Sequence, residues 1–122
     1  MFRKNEFLEA KQPGSSSETR VSVKLFTTLR EIIGKSEEII CLQGNVTAYH
    51  VLKELARMYG HTVAQYIFEG EKLRDYLEVL VDGHNVSLEY GLETRLKNGS
   101  VMAILPPAGG GSRVAFLHEL RL

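Results

Sequence analysis

Between residues 21 and 105 the apolar and polar positions follow two different periods. Val21-Ser22-Val23-Lys24-Leu25 switches at every residue, the pattern of a strand with one face buried. Thr28-Leu29-Arg30-Glu31-Ile32-Ile33 fits a short helical turn, and Gly34 stands where a left-handed residue would end it. Glu38-Ile39-Ile40-Cys41-Leu42 is rich in β-branched residues and predicts a returning second strand. From Thr47 the period lengthens. Val51, Leu52, Leu55 and Met58 recur at spacings of three and four, which gives a helix one apolar stripe. The Thr47 hydroxyl can accept from a first-turn N–H, and Gly60 is placed to close the last turn, so the pattern predicts a helix over 47–59.

Residues 62–75 are ambiguous: Val63, Tyr66, Ile67 and Leu73 suit a shorter helix or an irregular crossover. Leu77, Val79 and Val81 then alternate, and Asp82-Gly83 favours positive φ at both centres of a tight turn. Val86-Ser87-Leu88 is the expected partner strand. Gly91-Leu92-Glu93-Thr94 and Asn98-Gly99 read as turns. Val101-Met102-Ala103-Ile104-Leu105 is apolar nearly throughout, as a strand buried on both faces should be. The order strand, strand, helix, crossover, strand, strand, strand predicts an α+β fold. A mixed sheet of about four to five strands would pack on one main helix, with the last strand inside the sheet and its end free to project. That is the ubiquitin-like β-grasp arrangement.

The ends differ from this middle. Residues 1–20 are polar and run through Gln12-Pro13-Gly14-Ser15-Ser16-Ser17, which predicts a flexible leader. The domain with its glycine tail is expected over 21–111, and 112–122 form a C-terminal extension. A chain of 122 residues favours one domain. A domain of that order buries roughly 60–70% of its unfolded surface, enough for one core.

Composition narrows the function classes. With 43% hydrophobic and 25% charged residues the chain has the balance of an ordinary globular protein. Fifteen Lys and Arg cancel fifteen Asp and Glu, so the basic excess that phosphate binding needs is missing and nucleic acid is not an expected partner. Cys41 is alone and cannot close an internal disulfide, which points to a reducing cytoplasm. No apolar run approaches the ~18–20 residues that cross a bilayer, so no membrane partner is expected. Nothing apolar follows Met1-Phe2-Arg3-Lys4-Asn5-Glu6, so no signal peptide is expected either.

Most candidate chemistry falls away on spacing. His50, His61, His84 and His118 include no two at ligand spacing, and Cys41 has no Cys partner, so no metal site is expected. Cys41, on a strand, is expected to be a small buried apolar residue. Glu37-Glu38 and Glu69/Glu71 are expected as solvated charges rather than an acid/base pair. Gly109-Gly110-Gly111 lacks the Lys-Ser/Thr of a phosphate loop, so the chain itself is not expected to bind ATP. Phe26, Tyr66, Phe68 and Tyr90 are read as core packing, with an apolar docking surface beside the tail as the competing reading.

One constellation remains. Val23-Lys24-Leu25-Phe26 precedes Leu29-Arg30-Glu31-Ile32-Ile33-Gly34; Val46-Thr47 opens a helix carrying Leu52, Leu55 and Tyr59; Val79-Leu80-Val81-Asp82-Gly83 makes a hairpin. Then Leu96-Lys97-Asn98-Gly99-Ser100-Val101 leads to Leu105-Pro106-Pro107-Ala108-Gly109-Gly110. Over residues 21–111 these motifs resemble the MoaD family, the small subunit of molybdopterin synthase and its archaeal-type relatives, and the last motif is the most specific. The resemblance implies a ubiquitin-like sulfur carrier, a non-catalytic subunit of a sulfurtransferase complex with no cofactor of its own. A ubiquitin-activating-type enzyme would adenylate the terminal glycine (Gly110 or Gly111, preceded by Gly109) with ATP. The carboxylate would become a thiocarboxylate, and the sulfur would be delivered inside the molybdopterin synthase large subunit. Thiamine-pathway carriers share the fold and the diglycine but are typically shorter and lack the Pro-Pro entry.

The residues agree physically with that role. Glycine lacks a Cβ, so its backbone can pass a narrow channel in unusual φ/ψ at little cost. Leu105, Pro106, Pro107 and Ala108 are the candidate threading segment, its prolines fixing φ and favouring an extended exit that lowers the ordering entropy lost on docking. Members of the family end at Gly-Gly, whereas this chain continues from Ser112 to Leu122. An internal glycine carbonyl is an amide and offers no carboxylate for activation. The extension is therefore expected to be a pro-segment cut after Gly110 or Gly111 by a processing protease, with an added peptide as the other account. Two further functions stay open: a protein modifier joined to lysines through the same glycine, and a β-grasp module that binds without covalent chemistry.

Overall fold

The computed structural model describes residues 17–88 and 90–106. Strand β1 (Glu18–Leu25) is followed by helix α1 (Thr27–Ile33) and strand β2 (Glu37–Gln43). The short strand β3 (Val46–Thr47) opens directly into the main helix α2 (Ala48–Tyr59), and α3 (His61–Ile67) follows after Gly60. A small hairpin, β4 (Phe68–Glu69) with β5 (Lys72–Leu73), leads to β6 (Glu78–Val81) and β7 (His84–Asn85). After two 3-10 turns, β8 (Arg95–Leu96) pairs with β3 and β9 (Val101–Leu105) closes the described chain.

The main sheet runs β2-β1-β9-β6-β7. β9 lies parallel to β1 and antiparallel to β6, so the last strand is central: Met102 faces Val23 on one side and Val81 on the other. The mixed sheet with one main helix across it is the β-grasp arrangement that the sequence predicts. Alternation decides the two faces. Val21, Val23, Ile40, Val79, Met102 and Ile104 point to the helix side, where Ala48, Val51, Leu52 and Leu55 of α2 are all fully buried. Removing that much apolar surface from water is what holds helix to sheet. Met58, at the end of the predicted stripe, is 39% exposed, so the buried stripe ends at Leu55.

The caps sit where the pattern places them. The Thr47 side chain accepts from the His50 N–H, and His50 Nδ1 accepts from the Thr47 N–H at 3.0 Å, a reciprocal capping box. Gly34 ends α1 at φ 86°, and Asp82 and Gly83 both adopt positive φ in the β6–β7 turn.

Four expectations need correction. The strand begins at Glu18 rather than Val21, because Glu18, Thr19 and Arg20 pair with Gln43, Leu42 and Cys41, and Asn98 and Gly99 bond the Arg20 backbone from the other side. The leader predicted over 1–20 therefore loses its last three residues to the sheet. Val86–Leu88 is a 3-10 turn, and the partner of β6 is the two-residue His84–Asn85 before it. The Asn85 side chain accepts from the Ser87 N–H at 2.9 Å, which turns the chain out of the ladder. Cys41 is exposed, since odd positions of β2 face away from the helix. Glu38 is buried, because even positions of β2 face the helix.

Candidate functional site

The candidate site begins where β9 leaves the sheet. Ile104 sits opposite Leu25 and Val79, and Leu105 opposite Glu78. Leu105 is 1% exposed and held by its ladder, so it belongs to the body and not to the threading segment. Pro106 is half-buried and is the last described residue. Pro107, Ala108, Gly109, Gly110 and Gly111 lie outside the described residues, as do Ser112 to Leu122. The structure thus positions the base of the predicted tail: a central strand, tied on both edges, whose C-terminal end carries the proline.

Around that base lies a second apolar cluster, Phe26, Leu80, Ala103 and Leu105, on the sheet face opposite the main helix. Phe26 follows β1, the parallel neighbour of β9, and Leu80 sits opposite Ala103. The four aromatics read together from sequence are separated. Phe26 is at the strand exit, Phe68 is in the main core, Tyr66 packs against that core, and Tyr90 is 74% exposed. Core packing therefore holds for Phe26, Tyr66 and Phe68 and fails for Tyr90. Ala103 falls in the run Val101–Leu105 that the sequence predicts as buried on both faces, and Leu80 in Val79-Leu80-Val81 is likewise in a stretch apolar at both parities, which calls for cover on both faces.

The ionisable groups with clear shifts belong to scaffold contacts. The Tyr59 hydroxyl donates to Glu38 and, with Lys35 at 3.0 Å, holds the Glu38 carboxyl below the usual range against the opposing effect of its burial. The same contact and partial burial push the Tyr59 hydroxyl up. The Tyr49 hydroxyl, bonded to Glu71, is pushed up in the same way. These contacts tie α2 to β2 and to the β4–β5 hairpin. Among the described residues no three of His, Cys, Asp and Glu gather in metal-ligand geometry. No helix among them is long and apolar enough to cross a membrane.

The strand exit and its register can now be set beside known proteins. A family model described as the ThiS family matches residues 23–111, most of the chain. The chain belongs to the ThiS family. The match ends at Gly111, the last of the three glycines, and leaves Ser112 to Leu122 beyond it. A curated relative, Small archaeal modifier protein 3 of Haloferax volcanii, is 28% identical over 91 residues that span 75% of this chain and 98% of the relative. The solution structure of small archaeal modifier protein 1 from Methanosarcina acetivorans is 33% identical, with a TM-score of 0.64 over 77% of this chain and 98% of that one. A putative molybdopterin converting factor, subunit 1, from Pyrococcus furiosus shares the fold at 21% identity, with a TM-score of 0.57 over 74% of this chain and 99% of that one. This is a ubiquitin-like β-grasp family of small carriers and modifiers, and the chain is of that kind.

Proposed function

We propose that this ThiS-family chain is a sulfur carrier whose glycine terminus, freed by removal of Ser112 to Leu122, is activated by a partner and donates sulfur in molybdopterin synthesis. The observation that carries the reading is the coincidence of a central, doubly paired strand, the last among the described residues, with a family match that runs on to Gly111. A strand anchored on both sides can present its continuation without the body yielding, so the ordering lost on docking is confined to the tail.

The chemistry needs three steps. Hydrolysis of the peptide bond after Gly110 or Gly111 frees a carboxylate. One of its oxygens attacks the α-phosphate of ATP in a ubiquitin-activating-type enzyme, and pyrophosphate leaves. A sulfur nucleophile then displaces AMP and leaves a thiocarboxylate, which the molybdopterin synthase large subunit would consume. Such partners would meet the chain in the cytoplasm. Pro107, Ala108 and Gly109 would cross the narrow approach to each active site, where absent side chains and fixed φ favour passage.

A second reading is favoured by the names of the relatives: two of those above are called modifiers. The same acyl adenylate would then be joined to lysine amines of target proteins. One experiment tests the shared step and separates the outcomes. The chain ending at Gly111, and another ending at Gly110, is incubated with ATP, sulfide and an adenylating enzyme, and the intact mass is measured. Replacement of one oxygen by sulfur is expected. Lysine-linked adducts in cells without a thiocarboxylate pool would move the assignment to the modifier. Protein isolated from its native cell with Leu122 still attached throughout the working pool would overturn both.

A further inference from the structure

The sheet face turned away from the main helix has two unlike halves. Over β1 and β2 it is polar and open, with Arg20, Glu37, Cys41 and Gln43 all exposed. Over β9 and β6 it is apolar and closed. Leu80, Ala103 and Leu105 are 8, 3 and 1% exposed, and Phe26, one step past β1 on the same face, is 7% exposed. The ladders set these side by side: Ala103 lies opposite Leu80 on one edge and Lys24 on the other, and Leu105 lies opposite Glu78.

The described elements do not account for that closure. Helices α1 and α3, the β4–β5 hairpin, the first 3-10 turn and the β3–β8 pair send Leu29, Val63, Phe68, Val86 and Leu96 into the main core, as α2 does its own stripe. Among the described residues, no helix or turn lies across Leu80 and Leu105. A fully buried side chain touches roughly 6–12 other residues, and strand neighbours alone supply only part of that number. The chain itself leaves the sheet at this spot, since Pro106 follows Leu105 directly. Six of the last nine residues, Val114 to Leu122, are apolar, whereas the leader is mostly polar. The leader also joins β1 at Glu18, the opposite end of that strand, roughly 25 Å from Phe26.

We propose that the C-terminal extension is an intramolecular cover: Val114, Phe116, Leu117 and Leu120 fold back over Phe26, Leu80, Ala103 and Leu105. The length suffices. Residues 107–113 can span up to roughly 20 Å, and the three strands β1, β9 and β6 are together only about 10 Å across. The glycine run falls within that span, so the bond to be cut lies outside the covering segment. Cutting there would release the cover as well as free the carboxylate, and an apolar patch would open where the tail leaves the body. That consequence rests on the carrier reading; the contact does not.

The test uses the full chain, isotopically labelled and followed by amide NMR, with Cys41→Ser so that a single nitroxide can be attached. On His118→Cys the nitroxide is expected to broaden Leu80, Ala103 and Leu105 far more than Lys53 and Arg57 on α2. On Phe7→Cys it should not. The double substitution Phe116→Asp with Leu117→Asp should shift the amides of Phe26, Leu80, Ala103 and Leu105 to their positions in the chain ending at Gly111. A synthetic peptide of residues 112–122, added to that shorter chain, should reverse the shifts and saturate at about 1 mM, because a short tether supplies millimolar effective concentration. Amides unmoved by the double substitution would overturn the proposal. So would broadening from Phe7 instead, which assigns the cover to the leader, or broadening lost on dilution with unlabelled chain, which assigns it to a second copy. Sulfur uptake by the chain ending at Gly111 is read independently, so either idea can fail while the other stands.

Discussion

The two faces of β9 carry different loads. Met102 and Ile104 enter the main core, where strands β1, β2 and β6 and helix α2 surround them with fully buried neighbours. Ala103 and Leu105, one residue away in each case, belong to a cluster completed by Phe26 and Leu80 alone among the described buried residues. The same strand thus serves as the centre of the fold on one side and as the base of the tail on the other. Packing density makes the first side intolerant of change. On the second side a small cluster has fewer neighbours to lose, and it sits at the exit of the strand.

The sharpest way to break that comparison is to truncate one residue on each face. Ile104→Ala opens a cavity in the dense core and is expected to cost about 4 kcal/mol, a large share of the 5–15 kcal/mol that holds a domain of this size. Leu105→Ala is expected to cost about 2 kcal/mol, at the low end for such truncations, because a four-residue cluster can close up. Urea unfolding of the two variants, with equal slopes, measures both. Equal losses would mean that the outer cluster is packed as firmly as the core.

Much of this division was legible from the chain. Alternation in Val21–Leu25 and the three–four spacing from Val51 to Leu55 placed the inner face, and the unbroken apolar run Val101–Leu105 announced a strand needing cover on both sides. Turn chemistry at Asp82-Gly83 was equally plain. What escaped reading were contacts set by register. Whether Glu37 or Glu38 is buried depends on which parity of β2 faces the helix, and the mixed run Glu38–Leu42 leaves that open until Tyr59 comes into view. Arg20 joins the sheet through Asn98 and Gly99, nearly eighty positions away, a pairing no local pattern can reveal. Thr27 holds φ at 42°, a conformation β-branched residues rarely take, and nothing in its neighbours foretells it. The glycines of the tail were legible by type and order, while their setting lies outside the described residues.

A middle-sized effect sharpens the contrast on the inner face. Glu38 is 8% exposed and joins Tyr59 at the end of α2 to Lys35 beside β2. Glu38→Gln keeps the shape but removes the charge, and is expected to cost about 1.5 kcal/mol at neutral pH. The sign with pH follows from the lowered carboxyl. Its contribution is present in full above the ordinary glutamate range, where folded and unfolded states are both ionised. It is lost as the pH falls through the lowered value. The stability curves of the native protein and the variant should therefore converge in acid. A gap that stays constant through the acid range would show that the carboxylate charge contributes nothing.

The smallest effect belongs to the outer face, at the neighbouring residue. Glu37 lies 3.6 Å from Lys24 across the β1–β2 ladder, with the two side chains 41% and 33% exposed. Water screens such a pair and the long side chains lose freedom in making it, so a double-mutant cycle with Lys24→Ala and Glu37→Ala should give a coupling of about 0.3 kcal/mol. Added salt should reduce it further, because both groups lie within reach of counterions. Adjacent glutamates, alike in type, would then differ several-fold in their hold on the fold, and the cause is parity alone: one position turns its carboxylate to the helix, the next to solvent. A coupling near that of Glu38 would remove the distinction between the faces, since an exposed pair would be holding the sheet as strongly as a buried one.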